Sequence, residues 1–119
     1  EGAPAFVAND ALTPAEAVTL IHAAHGCAVL AHPALFKGNL DALLAHMLAA
    51  GLDGLEVFHP DNPAEARKGY LALADKHGLL VTGGSDFHAE DGIHEVSLGT
   101  ISLPPETLQK LDARMASYQ

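Results

Sequence analysis

The chain has no tryptophan, a single cysteine, and six lysines and arginines against fifteen aspartates and glutamates. Each scarcity removes a class of function. A net charge of −9 does not suit a surface that holds nucleic acid by neutralising its phosphates, so no stable duplex partner is expected. Any phosphate handled by this chain is expected to meet metal ions instead. No apolar run approaches the roughly 20 residues of a membrane span. The opening Glu1-Gly2-Ala3-Pro4 has neither the basic nor the apolar stretch of a signal peptide. No membrane partner is expected. An initiator methionine is also lacking, so Glu1 is read as a trimmed tag, a processed end or the start of a fragment.

The lone cysteine, Cys27, sits in Gly26-Cys27-Ala28-Val29-Leu30 and is expected to be a small buried hydrophobe. A disulfide needs a partner, and no neighbour in sequence supplies the positive charge that activates a thiol. A reducing, cytoplasmic compartment fits this usage.

What is present is an apolar half: 49% of 119 residues, enough for one domain with a core. Three segments follow one grammar of capped helix, glycine and short apolar strand. The first helix opens at Thr13-Pro14-Ala15-Glu16, a capping box with proline at the first helical position, and Gly26 ends it before a strand at residues 27–31. The second places Leu43, Leu44, Met47 and Leu48 at helical spacing, then Gly51, then a strand at residues 55–58. The third starts at Asn62-Pro63-Ala64-Glu65, with Asn62 as the expected cap, and closes at Gly78 before a strand at residues 79–82. A polar loop from Ser85, a short strand near residues 96–101 and a helix from Pro104-Pro105-Glu106, with Leu108, Leu111 and Met115 inward, complete the chain. Short apolar strands that do not alternate imply a parallel sheet covered by helices, hence an α/β fold of three to four parallel βα units. Such a set forms either a small open sheet or an arc of a barrel.

The eight histidines are the compositional anomaly. His22, His25, His46 and His77 lie in or at the ends of the expected helices and are read as structural or solvated; His94 is read as an exposed loop residue. The others sit elsewhere. The first strand runs into Ala31-His32-Pro33, the second into Glu56-Val57-Phe58-His59-Pro60, the third into Gly83-Gly84-Ser85-Asp86-Phe87-His88. Because the carboxyl ends of parallel strands form the functional face of α/β folds, these groups should converge. Imidazole and carboxylate together suit Mn²⁺, Zn²⁺ or Fe²⁺, with Mg²⁺ less favoured because it prefers oxygen alone. Asp86 and His88 can serve two ions or grip one. Gly83 and Gly84 are expected to let the backbone pass close to whatever is bound. Lys37, four residues beyond Pro33, is within reach of a substrate phosphate or simply solvated, and Asp61, Glu90 and Asp91 read as turn formers.

The segments Val29-Leu30-Ala31-His32-Pro33, Gly54-Leu55-Glu56-Val57-Phe58-His59-Pro60 and Thr82-Gly83-Gly84-Ser85-Asp86-Phe87-His88 resemble the later motifs of the PHP (polymerase and histidinol phosphatase) superfamily of metal-dependent phosphoesterases. The nearest resemblance is to the bacterial branch acting on nucleoside bisphosphates and short oligoribonucleotides. It implies a distorted (βα) barrel with up to three metal ions at its C-terminal face, and a phosphorylated small molecule or nucleotide as substrate. Carried over by position, it makes His32, Asp86 and His88 metal ligands, with Glu56 and His59 in a supporting or substrate-phosphate role. Ala34 and Asn62 depart from it, standing where glycine and histidine are frequent.

The larger departure is that no His-x-His occurs anywhere in the chain, although the resemblance implies one on the first barrel strand. Residues 1–119 are therefore expected to be the C-terminal part of a PHP-type domain, a partial barrel whose remaining ligands lie elsewhere. The alternative expectation is a non-catalytic half-barrel that binds metal or forms a homo-oligomer through open sheet edges.

Overall fold

A computed structural model describes residues 11–88 and 97–119. Helix α1 spans Pro14–Ala23 and begins with the capping box expected of it: Thr13 Oγ1 accepts from Glu16 N–H at 3.2 Å while the Glu16 carboxylate accepts from Thr13 N–H at 2.8 Å. The hydrogen bond from the Thr13 hydroxyl is the largest of the effects that hold the Glu16 carboxyl below its usual range. Strand β1 follows at Val29–Leu30, then a single 3-10 turn at Pro33–Leu35, α2 at Leu40–Ala49, β2 at Gly54–Phe58, α3 at Ala64–His77, β3 at Leu80–Gly83 and α4 at Pro105–Ala116. The strands lie in the order β1-β2-β3, all parallel. Among the described residues the fold is thus an α/β sheet of three strands, with α3 against β2 and β3, α1 against α2, and α4 against β3. None of the described helices is long and apolar enough to cross a membrane.

The core lies where α1, α2 and the sheet meet. Val18, Ala28, Leu44, Met47, Leu52, Leu55 and Val57 form one buried cluster, with Leu55 and Val57 fully enclosed. Burial of side chains of this kind stabilises by about 2 kcal/mol each. Cys27 is half-buried; desolvation is the main reason its thiol is raised above the usual range, away from the thiolate form a nucleophile needs.

Four local expectations fail, three of them for a visible reason. Strand β1 is two residues long, because Ala28 N–H is bound by the Asp53 carboxylate at 2.8 Å and the ladder starts only after it. Asn62 does not cap α3; Pro63 occupies that position without a side-chain bond, and the Asn62 amide is used elsewhere. Residues 97–101 turn instead of extending: Gly99 has φ +78°, and Thr100 donates both N–H and hydroxyl back to the Ser97 carbonyl. Val96 lies outside the described residues, as do Glu90, Asp91 and His94. In α4, Leu111 and Met115 face inward as expected, but Leu108 is 61% exposed.

The N-terminal end of the sheet is fastened by a group that sequence reading passed over. Asp53 is fully buried just before β2, and its carboxylate accepts from His22 Nε2 at 2.8 Å, Ala28 N–H at 2.8 Å, Arg114 Nη1 at 2.9 Å and the Tyr118 hydroxyl at 2.6 Å. One carboxylate therefore joins α1, the start of β1 and the end of α4. Burial pushes its pKa up, but the bonds from Tyr118, His22, Ala28 and Arg114 outweigh this and hold it below the usual carboxylate range. The Tyr118 ring also stacks on His22, with centroids 4.3 Å apart, and the His25 imidazole bonds the Tyr118 carbonyl.

Candidate functional site

At the opposite end of the sheet the register of β2 and β3 slips. Glu56 pairs with Thr82, but Phe58 pairs with Gly83, so one residue of β2 is passed over. The slip needs glycine: a Cβ on Gly83 would stand 2.5 Å from the Phe58 carbonyl oxygen. The close approach expected of Gly83 is therefore to the neighbouring strand, and Gly84 N–H then bonds Phe58 O at 3.0 Å. This pins the exit of β3 beside the end of β2 and carries Ser85 and Asp86 towards His59.

His59 is the centre of the resulting cluster. It is 1% exposed, its ring meets that of His32 edge-on with centroids 5.2 Å apart, and its Nε2 stands 3.4 Å from Asp86 Oδ2. Its Nδ1 accepts a hydrogen bond from Asp61 N–H at 3.1 Å, and Arg67 Nη2 donates to its carbonyl at 2.9 Å. The buried Nε2 makes no hydrogen bond of normal geometry among the described residues.

Glu56 sits half-buried on β2, and its Oε2 accepts from His32 N–H at 2.7 Å. The bond crosses from β2 to the end of β1 and fixes the turn that presents the His32 ring. Asn62 fastens the same turn from the other side. Its Nδ2 donates to the carbonyls of Glu56 at 2.9 Å and Val57 at 3.0 Å, while its Oδ1 accepts from Ala34 N–H at 3.3 Å. Asn62 is wholly buried, and these bonds commit both ends of its amide to backbone.

Two non-glycine residues in this cluster have left-handed backbone: His32 at φ +28° and Asp86 at φ +55°. Such conformations cost on the order of 1–3 kcal/mol and persist only where the surroundings impose them. Here Glu56 and Asn62 impose the first; the slip at Gly83 precedes the second. Beyond Asp86, His88 Nδ1 bonds the Asp86 carbonyl at 2.7 Å and stands 3.8 Å from its Oδ1. A ring nitrogen facing a carbonyl oxygen serves as the donor, so this contact orients the His88 ring.

Of the six candidate positions, the fold thus gathers His32, Glu56, His59 and Asp86 at one end of the sheet, with His88 beside Asp86. Lys37 is exposed on the segment before α2, and no hydrogen bond or ion pair among the described residues ties it to the cluster. The donor set of imidazole and carboxylate suits a divalent transition ion. It fits as part of a site: no three His, Cys, Asp or Glu side chains among the described residues form a group that could hold an ion. Asn62, expected as a helix cap, and Arg67 build the cluster's frame through bonds to backbone carbonyls, which no local sequence signal announces.

Known protein-family models give no match to the chain. Individual proteins do. Over 108 residues, 87% of the chain, it is 34% identical to a 3',5'-nucleoside bisphosphate phosphatase of Chromobacterium violaceum, and over 79 residues it is 40% identical to a phosphoribosyl 1,2-cyclic phosphate 1,2-diphosphodiesterase of Eggerthella lenta. The chain spans 38% and 29% of the lengths of these two relatives. In three dimensions it superposes with a TM-score of 0.79, at 33% identity, on a Bifidobacterium adolescentis protein provisionally assigned as a metal-dependent phosphoesterase. That match covers 95% of this chain and 40% of the other.

Proposed function

Since the chain belongs to the PHP superfamily of metal-dependent phosphoesterases, we propose that residues 1–119 are the C-terminal part of such a domain, a partial (βα) barrel that hydrolyses phosphate esters of nucleotides or short oligonucleotides once completed. The observation that supports this best is the cluster itself: β1, β2 and β3 end at His32, Glu56 with His59, and Asp86, and these groups touch one another.

His32, Asp86 and His88 are the proposed ligands of divalent ions, Asp86 and His88 each on a different one, with Mn²⁺, Zn²⁺ or Fe²⁺ ahead of Mg²⁺, and a His-x-His segment outside this sequence would supply further ligands. A bound ion there would neutralise phosphate charge and activate water for attack on phosphorus. The chain's own residues do the positioning. Glu56 and Asn62 hold the His32 turn, the slip at Gly83 sets Asp86, and the Asp86 carbonyl orients the His88 ring. Lys37 is free to approach a substrate phosphate as a point charge. A cytoplasmic setting accords with the single half-buried thiol.

A second reading rests on the incomplete donor set among the described residues. By itself the chain would be a metal-binding or oligomerising half-barrel module without hydrolase activity, pairing through the edges of β1 and β3. One experiment separates the two: metal content by mass spectrometry of the wild type and of Asp86→Ala/His88→Ala, followed by hydrolysis of a 3',5'-nucleoside bisphosphate with added Mn²⁺. Metal retained only by the wild type, together with turnover, supports the enzyme. Metal without turnover, in a stable oligomer, supports the module, and absence of metal from both removes the metal reading.

A further inference from the structure

His59 is the most deeply buried titratable side chain at the C-terminal end of the sheet, and its part in the site follows from its protons. A neutral imidazole carries one proton, on Nδ1 or on Nε2. Nδ1 faces the Asp61 backbone N–H at 3.1 Å, a donor with no acceptor capacity, so Nδ1 must offer its lone pair and the proton must sit on Nε2. That proton faces Asp86 Oδ2 at 3.4 Å. Nε2 therefore has no lone pair to give an ion, although its burial and lack of a normal hydrogen bond would otherwise make it a natural ligand.

The surroundings hold the ring in this orientation. Arg67 donates to the His59 carbonyl, the His32 ring packs against it, and the Asp61 carboxylate lies 3.9 Å from Nδ1, too far to replace the backbone N–H. At 3.4 Å the contact with Asp86 lacks the alignment of a formed hydrogen bond, and a small shift of the Asp86 side chain would close it.

Building on the metal reading above, we propose that His59 is a positioning residue and not a ligand: its Nε2–H holds one carboxylate oxygen of Asp86, leaving Oδ1 to turn towards the ion. This would also give the left-handed Asp86 the external restraint its backbone requires. Partners of this kind around metal ligands typically change affinity by about 10- to 100-fold when removed.

The test reads the proton first and the metal second. Long-range ¹⁵N–¹H NMR on the wild type should show His59 protonated at Nε2. Asp86→Ala should shift the Nε2 proton and leave Nδ1 nearly unchanged. For Mn²⁺ binding followed by electron paramagnetic resonance, His59→Gln, whose amide nitrogen can donate from the Nε2 position, should stay within about threefold of wild type, while His59→Phe should lose about tenfold or more. Circular dichroism checks that each variant folds, and the wild-type tautomer decides the matter even if His59→Phe does not. A proton on Nδ1, or loss of Mn²⁺ by His59→Gln as complete as in Asp86→Ala, overturns the positioning role alone. Failure of the wild type to bind Mn²⁺ at millimolar concentration overturns the proposed metal site and the positioning role with it.

Discussion

The Tyr118 hydroxyl donates to Asp53 Oδ1 at 2.6 Å, so the last turn of the chain is tied to the residue that opens the central strand. The tie lies at the end of the sheet away from the candidate site, where the Asp53 carboxylate is occupied by four protein donors. Tyr118→Phe keeps the ring stacked on His22 and removes only this bond, and should cost about 1–2 kcal/mol in urea unfolding. Asp53→Asn removes the charge that His22, Arg114, Tyr118 and Ala28 all address, and should cost about 3 kcal/mol or more.

The same pair sets the pH limits of stability. The folded-state pKa of Asp53 is depressed, so its contribution is complete above the unfolded value of about 3.9 and is lost as pH falls through the lower folded value. Tyr118 behaves oppositely. Its hydrogen bond to Asp53, and then burial, raise its pKa, so its contribution is complete below about pH 10 and is lost as pH rises through the higher folded value. Thermal unfolding against pH should show both flanks; Tyr118→Phe should remove the alkaline one and, because the Tyr118 bond is the largest of those that depress the Asp53 carboxyl, shrink the acid one as well.

Gly83→Ala should disturb the site more than its size suggests. The added methyl would meet the Phe58 carbonyl oxygen at 2.5 Å and Phe58 Cβ at 2.6 Å, neither of which can swing aside. A loss of about 2 kcal/mol or more is expected, with the β3 exit displaced from β2. At Gly84 the nearest atom to a new methyl is Glu56 Oε1 at 3.9 Å, so Gly84→Ala should fold nearly as the wild type does.

Asn62→Ala should cost about 2–3 kcal/mol, since the carbonyls of Glu56 and Val57 lose their buried donor. Because Asn62 also accepts from Ala34 N–H beside His32, the same change should weaken Mn²⁺ binding. Glu56→Ala frees His32 N–H from the other side and should lower Mn²⁺ affinity by about tenfold with little effect on unfolding, measured by electron paramagnetic resonance and urea titration.

Much of the scaffold was legible in local chemistry. The capping box at Thr13 to Glu16, the left-handed Gly78 after α3 and the parallel strands all depend on residues close in sequence, whose preferences need no partner to express. The same holds for the placing of His32, Glu56, His59 and Asp86 at strand ends, which follows from the order of helix, glycine and strand. What each of these residues touches is a different matter. Whether Asn62 caps a helix or bridges β2 to the His32 turn depends on where Ala34 arrives, 28 positions earlier. The burial of Asp53 is decided by Arg114 and Tyr118, 61 and 65 residues away. The sequence by itself determined the elements and the chemistry carried at their ends. Only the tertiary structure decided which carboxylate became a structural clasp, which glycine made room for a strand, and which histidine turned its proton towards Asp86, because those outcomes depend on groups distant in sequence that folding brings into contact.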